Sequence, residues 1–276
     1  MNLTPKLTVS TDDAGGPEIF ASLQGEGPSA GTPVAFVRLS RCNLACVWCD
    51  TAYTWHFEGD NRPHRDGIAF DRKANQVTLS PAETAERIAA LGQNRLVITG
   101  GEPLLQAGGL AEMLEHLDAL ASPRAGGDLR QTGGLPSDGG SRLRGSAPFV
   151  EIETNGTVAP PPRLDIRVDQ YNVSPKLTHS GNPADLALIP ERLDAFAADP
   201  RAFFKFVIAA PEDVAEVLEL QRRYRFKPGQ VFLMAEGTDS LTQRERQAWL
   251  APLCLEHGFR MSDRLHIHLY GDTRGT

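Results

Sequence analysis

Segments typical of β-strands alternate with segments typical of α-helices about six times along this chain of 276 residues. Neighbouring parallel strands need a crossover, usually a helix, so the alternation predicts a mostly parallel sheet in an α/β fold. The crossovers are uneven in length, which indicates that some lack a full helix. We therefore expect an open, partial (β/α) barrel with abridged helices. The six predicted parallel strands cover residues 34–40, 95–98, 149–157 with the turn that ends it, 166–173, 203–208 and 229–234.

The segments between these strands give further expectations. Ser80, Pro81 and Glu83 form the capping signal of a helix that begins there. Residues 1–18 are expected to be a polar lead-in, and the long stretch 54–76 a loop over the site with His56 at the surface. The remaining predicted elements are helices at 104–120, 187–198, from Pro211 onward and 241–257, and a terminal strand at 264–270, where apolar residues alternate with period two.

Three of the four cysteines lie in one loop directly after the first strand. Cys42, Cys46 and Cys49 have the spacing C-x-x-x-C-x-x-C, with the aromatic Trp48 just before the last of them. A cluster of four irons takes four ligands, so three thiolates leave one iron open. The loop resembles the motif of radical S-adenosylmethionine (SAM) enzymes, in which that open iron chelates the amino and carboxylate groups of SAM.

Two other readings of the cysteines stay open at this point. A structural zinc site is normally closed by a fourth ligand, and His56 or the distant Cys254 could supply it. The three thiols could also be a buried structural trio. Cys254 lies on the last long helix, where we expect it to be packed rather than reactive.

Two segments at strand ends carry further chemistry. Arg38 is a lone charge in an apolar strand, so it must be paired or bind an anion, and the two readings are about equally supported. Residues 99–103, Thr-Gly-Gly-Glu-Pro, follow the second strand at the edge where α/β folds bind ligands. This segment resembles the motif that holds the amino group of SAM, with two glycines that allow the backbone to approach a ligand.

The third and fourth strands also end in polar groups. Glu151 and Glu153 lie two apart and therefore share one face of their strand. Glu153 is nearer the strand's end and is the better candidate for a site residue. Ser174, Pro175 and Lys176 follow the fourth strand, again on the expected ligand edge.

Composition limits the remaining classes of protein. A net charge of −7 argues against a surface that binds nucleic acid. The sequence contains no run of about 18 apolar residues, so it predicts no membrane-spanning helix. Four cysteines with three crowded together do not form a disulfide framework, and no secretory signal is present at the N-terminus, so we expect a reducing cytoplasmic compartment. Residues 121–147, rich in Gly, Ser, Pro and Arg, predict a flexible insertion within a single domain spanning 1–276.

Taken together, the motifs resemble one family, the 7-carboxy-7-deazaguanine synthases, which are radical SAM enzymes of queuosine and deazapurine biosynthesis. The resemblance covers most of the chain outside 121–147. The segment Leu-Gln-Gly-Glu-Gly joined to Cys-Asp-Thr is more specific than the cysteines alone. The matching segments are 22–27, Arg38, the three cysteines with 50–51, 99–103, 153–156 and 174–176.

The resemblance implies a role for each matching residue. It makes Cys42, Cys46 and Cys49 the ligands of a 4Fe–4S cluster, and Thr51 a ligand of Mg2+. The residues implied to bind SAM are Trp48, Cys49, Asp50, Gly101, Ser174, Pro175 and Lys176. The residues implied to bind the pterin substrate are Leu23, Gln24, Gly25, Arg38 and Thr99, with Arg38 as the partner of the substrate's carboxylate.

The resemblance also implies the reaction. A reduced cluster gives one electron to SAM, and the 5′-deoxyadenosyl radical takes a hydrogen from 6-carboxy-5,6,7,8-tetrahydropterin. The ring then contracts with help from Mg2+, hydrogen returns, and ammonia leaves to give 7-carboxy-7-deazaguanine. An electron donor such as flavodoxin or ferredoxin and a homodimer are implied as well. The alternative is another radical SAM enzyme, such as a glycyl-radical activase. The tail 269–276 departs from the expected family tail.

Overall fold

The computed structural model describes residues 5–121 and 147–276. Within these residues, ten strands form one sheet in the order β10-β9-β8-β7-β6-β5-β3-β1-β4, and β2 pairs with β3. The strands are β1 (Leu7–Ser10), β2 (Ile19–Leu23), β3 (Pro33–Leu39), β4 (Gln76–Leu79), β5 (Arg95–Gly100), β6 (Phe149–Thr154), β7 (Gln170–Val173), β8 (Ala202–Ile208), β9 (Val231–Ala235) and β10 (Arg260–Ser262).

The parallel part of the sheet confirms the predicted open, partial barrel. All neighbours from β3 to β10 in this order pair in parallel, and β1, β2 and β4 add antiparallel pairs beside β3. The six predicted strands are present, although the fourth is shorter than 166–173 because a helical turn precedes it. The short strand β10 adds a seventh parallel member that was not predicted.

Helices alternate with the strands, and most of them contribute side chains to the hydrophobic core. They are α1 (Pro81–Ala90), α2 (Ala107–Ala121), α3 (Pro162–Asp165), α4 (Ala184–Ala187), α5 (Pro190–Ala198), α6 (Asp213–Tyr224), α7 (Ser240–His257) and α8 (Leu265–Tyr270). The predicted capping signal of α1 is confirmed, since Ser80 and Glu83 exchange both hydrogen bonds of a capping box. Two crossover helices, α3 and α4, have a single turn, as the uneven spacing predicted.

The main hydrophobic core lies between the helices and the sheet. It contains fully buried side chains such as Leu110, Leu114, Tyr171 and Phe206. Cys254 belongs to this cluster with 5% of its surface exposed, which confirms that it is packed. Burial of this apolar surface holds the strands in place, so the polar loops at their carboxyl ends have fixed positions.

The structure corrects three local predictions. The polar lead-in predicted at 1–18 is wrong for its described part, because residues 7–10 form β1 and its Leu7 and Val9 are buried in the sheet. His56 is 5% exposed and its Nδ1 lies 2.8 Å from the carbonyl of Ile68, so it is a buried residue within its loop. In place of the terminal strand predicted at 264–270, the chain forms helix α8 (Leu265–Tyr270), and the amide of Leu265 bonds to the carbonyl of Gly25 and not to a neighbouring strand.

The predicted insertion at 121–147 falls almost entirely on residues 122–146, which lie outside the described residues. The single domain over 1–276 stays a prediction. No helix in the described ranges, 5–121 and 147–276, is long and apolar enough to cross a membrane.

Candidate active site

The cysteine loop is held at its start by the end of the neighbouring strand β5. The amide of Gly101 bonds to the carbonyl of Leu39, and the amide of Glu102 bonds to the carbonyl of Arg41. A Cβ on Gly101 would lie 2.0 Å from that Arg41 oxygen. The glycines therefore allow β5 to approach the backbone of the cysteine loop, where the sequence had suggested an approach to a ligand.

Glu102 connects the strand ends that carry the site. Its carboxylate is fully buried and accepts hydrogen bonds from the amides of Leu104 and Asn155 and from the hydroxyl of Thr154. Burial raises the pKa of this carboxyl group. The side chain thus joins the ends of β5 and β6, which places Asn155 beside the cysteine loop.

The three clustered thiols line one cavity of about 170 Å³, here called the thiol cavity. Burial raises the pKa of Cys42 to about 12 and that of Cys46 to about 11, and it raises that of Cys49 as well. Binding iron therefore releases protons from these groups. Among the described residues, no three His, Cys, Asp or Glu side chains converge on a point that would hold a single ion.

The donor set fits a 4Fe–4S cluster. Cys42, Cys46 and Cys49 come from one loop and line one cavity, and they would each bind a separate iron and leave the fourth without a protein thiolate. The cavity also offers groups for an organic ligand. The indole Nε1 of Trp48 is buried without a hydrogen-bond partner, and the ammonium of Lys176 lies 5.7 Å from the Trp48 ring.

The structure brings most of the predicted SAM residues to this cavity. Lys176 Nζ donates to Ser174 Oγ at 2.8 Å, which fixes the ammonium at the rim. Pro175 is not among the residues that line the cavity. Those that do line it are Trp48, Cys49, Asp50, Gly101, Ser174 and Lys176.

A smaller cavity of about 80 Å³, here called the arginine cavity, lies beside the first. All five residues predicted to bind the substrate line it: Leu23, Gln24, Gly25, Arg38 and Thr99. The two cavities share four wall residues, namely Glu26, Arg38, Thr99 and Glu153. A molecule in the arginine cavity therefore lies next to the thiol cavity.

Glu151 and Glu153 both point into the barrel interior. The side-chain Nε2 of Gln24 donates to Glu151 at 2.8 Å and to Glu153 at 3.2 Å, and the hydroxyl of Thr99 donates to Glu153 at 2.7 Å. Glu151 is buried, whereas Glu153 lines both cavities. This agrees with the sequence-based choice of Glu153 as the nearer site residue.

Arg38 is both paired and placed at the cavities. Its Nε donates to Glu18 Oε1 at 2.8 Å, and the hydroxyl of Tyr53 donates to the same carboxylate. Its two terminal nitrogens have no hydrogen-bond partner among the described residues. Burial opposes the charge, but Glu18, Tyr53 and Asp50 together outweigh burial and raise the pKa of Arg38. The guanidinium is therefore paired with Glu18 on one side and open to the cavities on the other. Arg38 can thus be paired and bind an anion at the same time.

A third cavity of about 570 Å³ lies outside the cysteine loop and includes Thr51 among its walls. Thr51 also lines the thiol cavity, and its hydroxyl lies 3.6 Å from Cys49 Sγ. The chain's end reaches this region, because the Arg274 guanidinium lies 3.6 Å from the centre of the Tyr53 ring and Thr276 lines both the outer and the arginine cavity.

A buried charge network that the sequence analysis missed connects these parts. Glu26 pairs with Lys205 and accepts from Arg264 Nε at 3.1 Å, and Arg264 also pairs with Asp50. Burial alone would raise the pKa of Glu26, but the two cations outweigh it and hold that pKa far below its usual range. The sequence could have indicated one member of this network, because Lys205 is a lone charge in an apolar strand, as Arg38 is.

Comparison with known proteins agrees with the geometry. A family model described as "4Fe-4S single cluster domain" matches residues 23–125. The chain is 35% identical to the 7-carboxy-7-deazaguanine synthase of Pyrobaculum aerophilum over the full length of both proteins. It is 33% identical to the enzyme of the same name from Hyperthermus butylicus, with 91% of this chain and 90% of that one covered.

Among solved structures, the crystal structure of QueE from Escherichia coli superimposes with a TM-score of 0.60 at 23% identity, covering 95% of each chain. At this identity the match supports the fold. The fold and the three-thiol cavity define a radical SAM enzyme, a lyase whose cofactors are a 4Fe–4S cluster and SAM. Within this class, the chain belongs to the 7-carboxy-7-deazaguanine synthase family. Because the chain belongs to this family, the alternative predictions of a zinc-binding structural protein and of a glycyl-radical activase are excluded.

Proposed function

We propose that this protein converts 6-carboxy-5,6,7,8-tetrahydropterin to 7-carboxy-7-deazaguanine with loss of ammonia, in queuosine or deazapurine biosynthesis. The observation that carries the proposal is the shared wall between the thiol cavity and the arginine cavity. It supports a substrate held beside the cofactors in a site lined by both cations and carboxylates.

The chain's own residues orient the substrate. The terminal nitrogens of Arg38 bind the substrate's carboxylate, because a guanidinium whose Nε is already paired offers its other edge to two oxygens. Glu153, held by Thr99 and Gln24, accepts hydrogen bonds from the N–H edge of the pterin. When bound, the cluster and SAM supply the one-electron chemistry that takes a hydrogen atom from the substrate.

The residues around the thiols hold the cofactors in this proposal. Cys42, Cys46 and Cys49 bind three irons of the cluster. Trp48 and Lys176 bind SAM, supported by the unpartnered indole N–H and by the ammonium at the rim. The other residues proposed to bind SAM are Cys49, Asp50, Gly101, Ser174 and Pro175.

Further parts of the proposal concern groups outside these two cavities. Thr51 binds Mg2+ through its hydroxyl oxygen, a ligand that suits a hard cation, at the junction of the thiol cavity and the outer cavity. The remaining substrate contacts are Leu23, Gln24, Gly25 and Thr99. A flavodoxin or ferredoxin as electron donor, a homodimer and a cytoplasmic location complete it.

One anaerobic reaction tests the proposal. The protein is reconstituted with iron and sulfide, and reductant, SAM, Mg2+ and 6-carboxytetrahydropterin are added before analysis by mass spectrometry. We expect 7-carboxy-7-deazaguanine in excess of the SAM consumed. If 5′-deoxyadenosine forms but no deazaguanine appears, the pterin is the wrong substrate, although the radical SAM assignment stands.

Replacing Arg38 with alanine should weaken substrate binding and leave SAM cleavage possible. Loss of a charge-assisted pair of hydrogen bonds costs about 2 to 3 kcal/mol, which is a rise in KM of roughly 30-fold or more. Steady-state kinetics with the pterin, and 5′-deoxyadenosine formation without it, measure the two effects separately.

The matched control for this variant is Arg62→Ala, which removes an equal charge from an exposed pair with Asp60 that lines neither cavity. Its KM should not change. An Arg38→Ala enzyme with unchanged KM would show that Arg38 only serves its pair with Glu18.

A further inference from the structure

Asn182 joins the turn after β7 to the cysteine loop. Its Oδ1 accepts a hydrogen bond from the amide of Ala45 at 2.8 Å, and its Nδ2 lies 3.3 Å from Cys46 Sγ. The turn itself packs closely here, since the amide of Val47 bonds to the carbonyl of Ser180. One amide side chain thus fixes both the backbone and the sulfur of a single loop.

The turn leaves little freedom for Asn182 to move away. Gly181 has φ +77°, and a Cβ on it would lie 2.7 Å from a methyl group of Val47. The second hydrogen of Asn182 Nδ2 reaches Ser180 Oγ at 3.2 Å. The bond from the Ala45 amide to Oδ1 fixes the plane of the side-chain amide, so one N–H stays directed at the sulfur.

The side-chain amide and hydroxyl contacts of the other two cysteines of the loop are longer, and these thiols also have hydrogen bonds with the backbone of Leu44 and the side chain of Trp55. Asn155 Nδ2 lies 4.0 Å from Cys42 Sγ, and the Thr51 hydroxyl lies 3.6 Å from Cys49 Sγ. At 3.3 Å, the contact of Asn182 with Cys46 is the shortest of these three. Hydrogen bonds to cluster sulfurs are among the features that set the reduction potential of an iron–sulfur cluster.

We propose that Asn182 is a positioning residue that donates a hydrogen bond to the Cys46 sulfur of the bound cluster and thereby raises the cluster's reduction potential. Reduction adds one negative charge to the cluster, and an N–H donor stabilises the more negative state. Asn182 thus makes the cluster easier to reduce by the electron donor. The inference depends on the family's cluster and not on the identity of the substrate.

The test is a redox titration of the reconstituted holoenzyme without SAM. Dithionite and mediators set the potential, and electron paramagnetic resonance measures the reduced cluster. In Asn182→Ala and Asn182→Asp, the midpoint should become more negative, by about a tenfold change in the reduction equilibrium, which is about 59 mV for one electron. Asn182→Asp keeps the oxygen that accepts from Ala45, so it preserves the loop if the alanine variant loses iron.

Ser180→Ala is the matched control, because it removes the other acceptor of Asn182 Nδ2 while the bond from the Ala45 amide to Asn182 Oδ1 still orients the side chain. Its midpoint should stay at the wild-type value. An unshifted midpoint in Asn182→Ala would overturn the proposal, as would an equal shift in Ser180→Ala. Should only the aspartate variant shift while the alanine variant keeps its cluster, the added charge is the cause and the proposal fails. Product formation from the pterin is assayed separately, so either failure is distinguishable from failure of the proposed function.

Discussion

Replacing Cys46 with alanine is expected to abolish reductive cleavage of SAM while the protein stays folded. Cys46 is one of three thiols on the thiol cavity, and a cluster that has lost one of three ligands cannot be held in place. The structural loss is small, because Cys46 lies on a cavity wall and the hydrogen bond from Asn182 to its sulfur is worth about 1 kcal/mol. Iron content, 5′-deoxyadenosine formation and the urea midpoint of unfolding measure these effects together.

The fourth cysteine offers a control with the opposite pattern. Cys254 lies on α7 and packs in the main hydrophobic core, and it lines neither the thiol cavity nor the arginine cavity. Cys254→Ala should therefore lose about 1 kcal/mol of stability through a small void. Its iron content and SAM cleavage should equal those of the unchanged protein. If the Cys46 variant still formed 5′-deoxyadenosine at the original rate, the assignment of this residue to the cluster would be wrong.

Much of this site was predictable because its motifs are local. The cysteine loop, residues 99–103 and residues 174–176 each follow a strand, and parallel strands bring their carboxyl ends to one edge. The alternation of strands and helices therefore predicted that these segments would meet. The resemblance to the family supplied their chemistry, which strand periodicity alone does not contain.

The interactions that were missed join residues distant in sequence. Glu26, Lys205 and Arg264 meet in one buried network, although 179 and 238 residues separate the first from the other two. Charge and periodicity describe each residue by its neighbours in sequence, so they could not reveal this meeting. Lys205 alone carried a warning, since an apolar strand should not bury a charge without a partner.

The terminal helix shows the same limit. Residues 264–270 alternate with period two, but only Ile267 among the apolar residues is deeply buried, and Leu269 is half exposed. The choice between strand and helix was made by tertiary contacts. Arg264 is fixed by Glu26 and Asp50, and the amide of Leu265 bonds to the carbonyl of Gly25 and not to a strand.

Replacing Glu26 with glutamine is expected to cost about 3 kcal/mol of stability at pH 7. The change keeps the size of the side chain but leaves Lys205 and Arg264, whose side chains are 8% and 7% exposed, without their shared anion. Breaking a buried ion pair on one side is costly because the remaining charge stays out of water. The midpoint of urea unfolding under anaerobic conditions measures the loss.

Glu236→Gln is the matched control for this substitution. Glu236 also pairs with two arginines, Arg65 and Arg246, but their side chains are 37% and 27% exposed, so water can solvate them once the anion is gone. We expect a loss of at most about 1 kcal/mol. Equal losses in the two variants would contradict the buried character of the Glu26 network.

The same network predicts how stability depends on pH. The two cations hold the pKa of Glu26 far below its ordinary value of 4.5, so the unfolded chain binds a proton that the folded protein does not. This stabilisation is complete above pH 4.5 and is lost progressively as the pH falls from there toward the folded-state value. The Glu26→Gln variant has no such proton to bind, so its urea midpoint should fall less steeply than that of the original protein between pH 5 and about pH 3. Parallel curves for the two proteins would mean that the pKa of Glu26 is the same in the folded and the unfolded chain, so that Lys205 and Arg264 do not stabilise its charge.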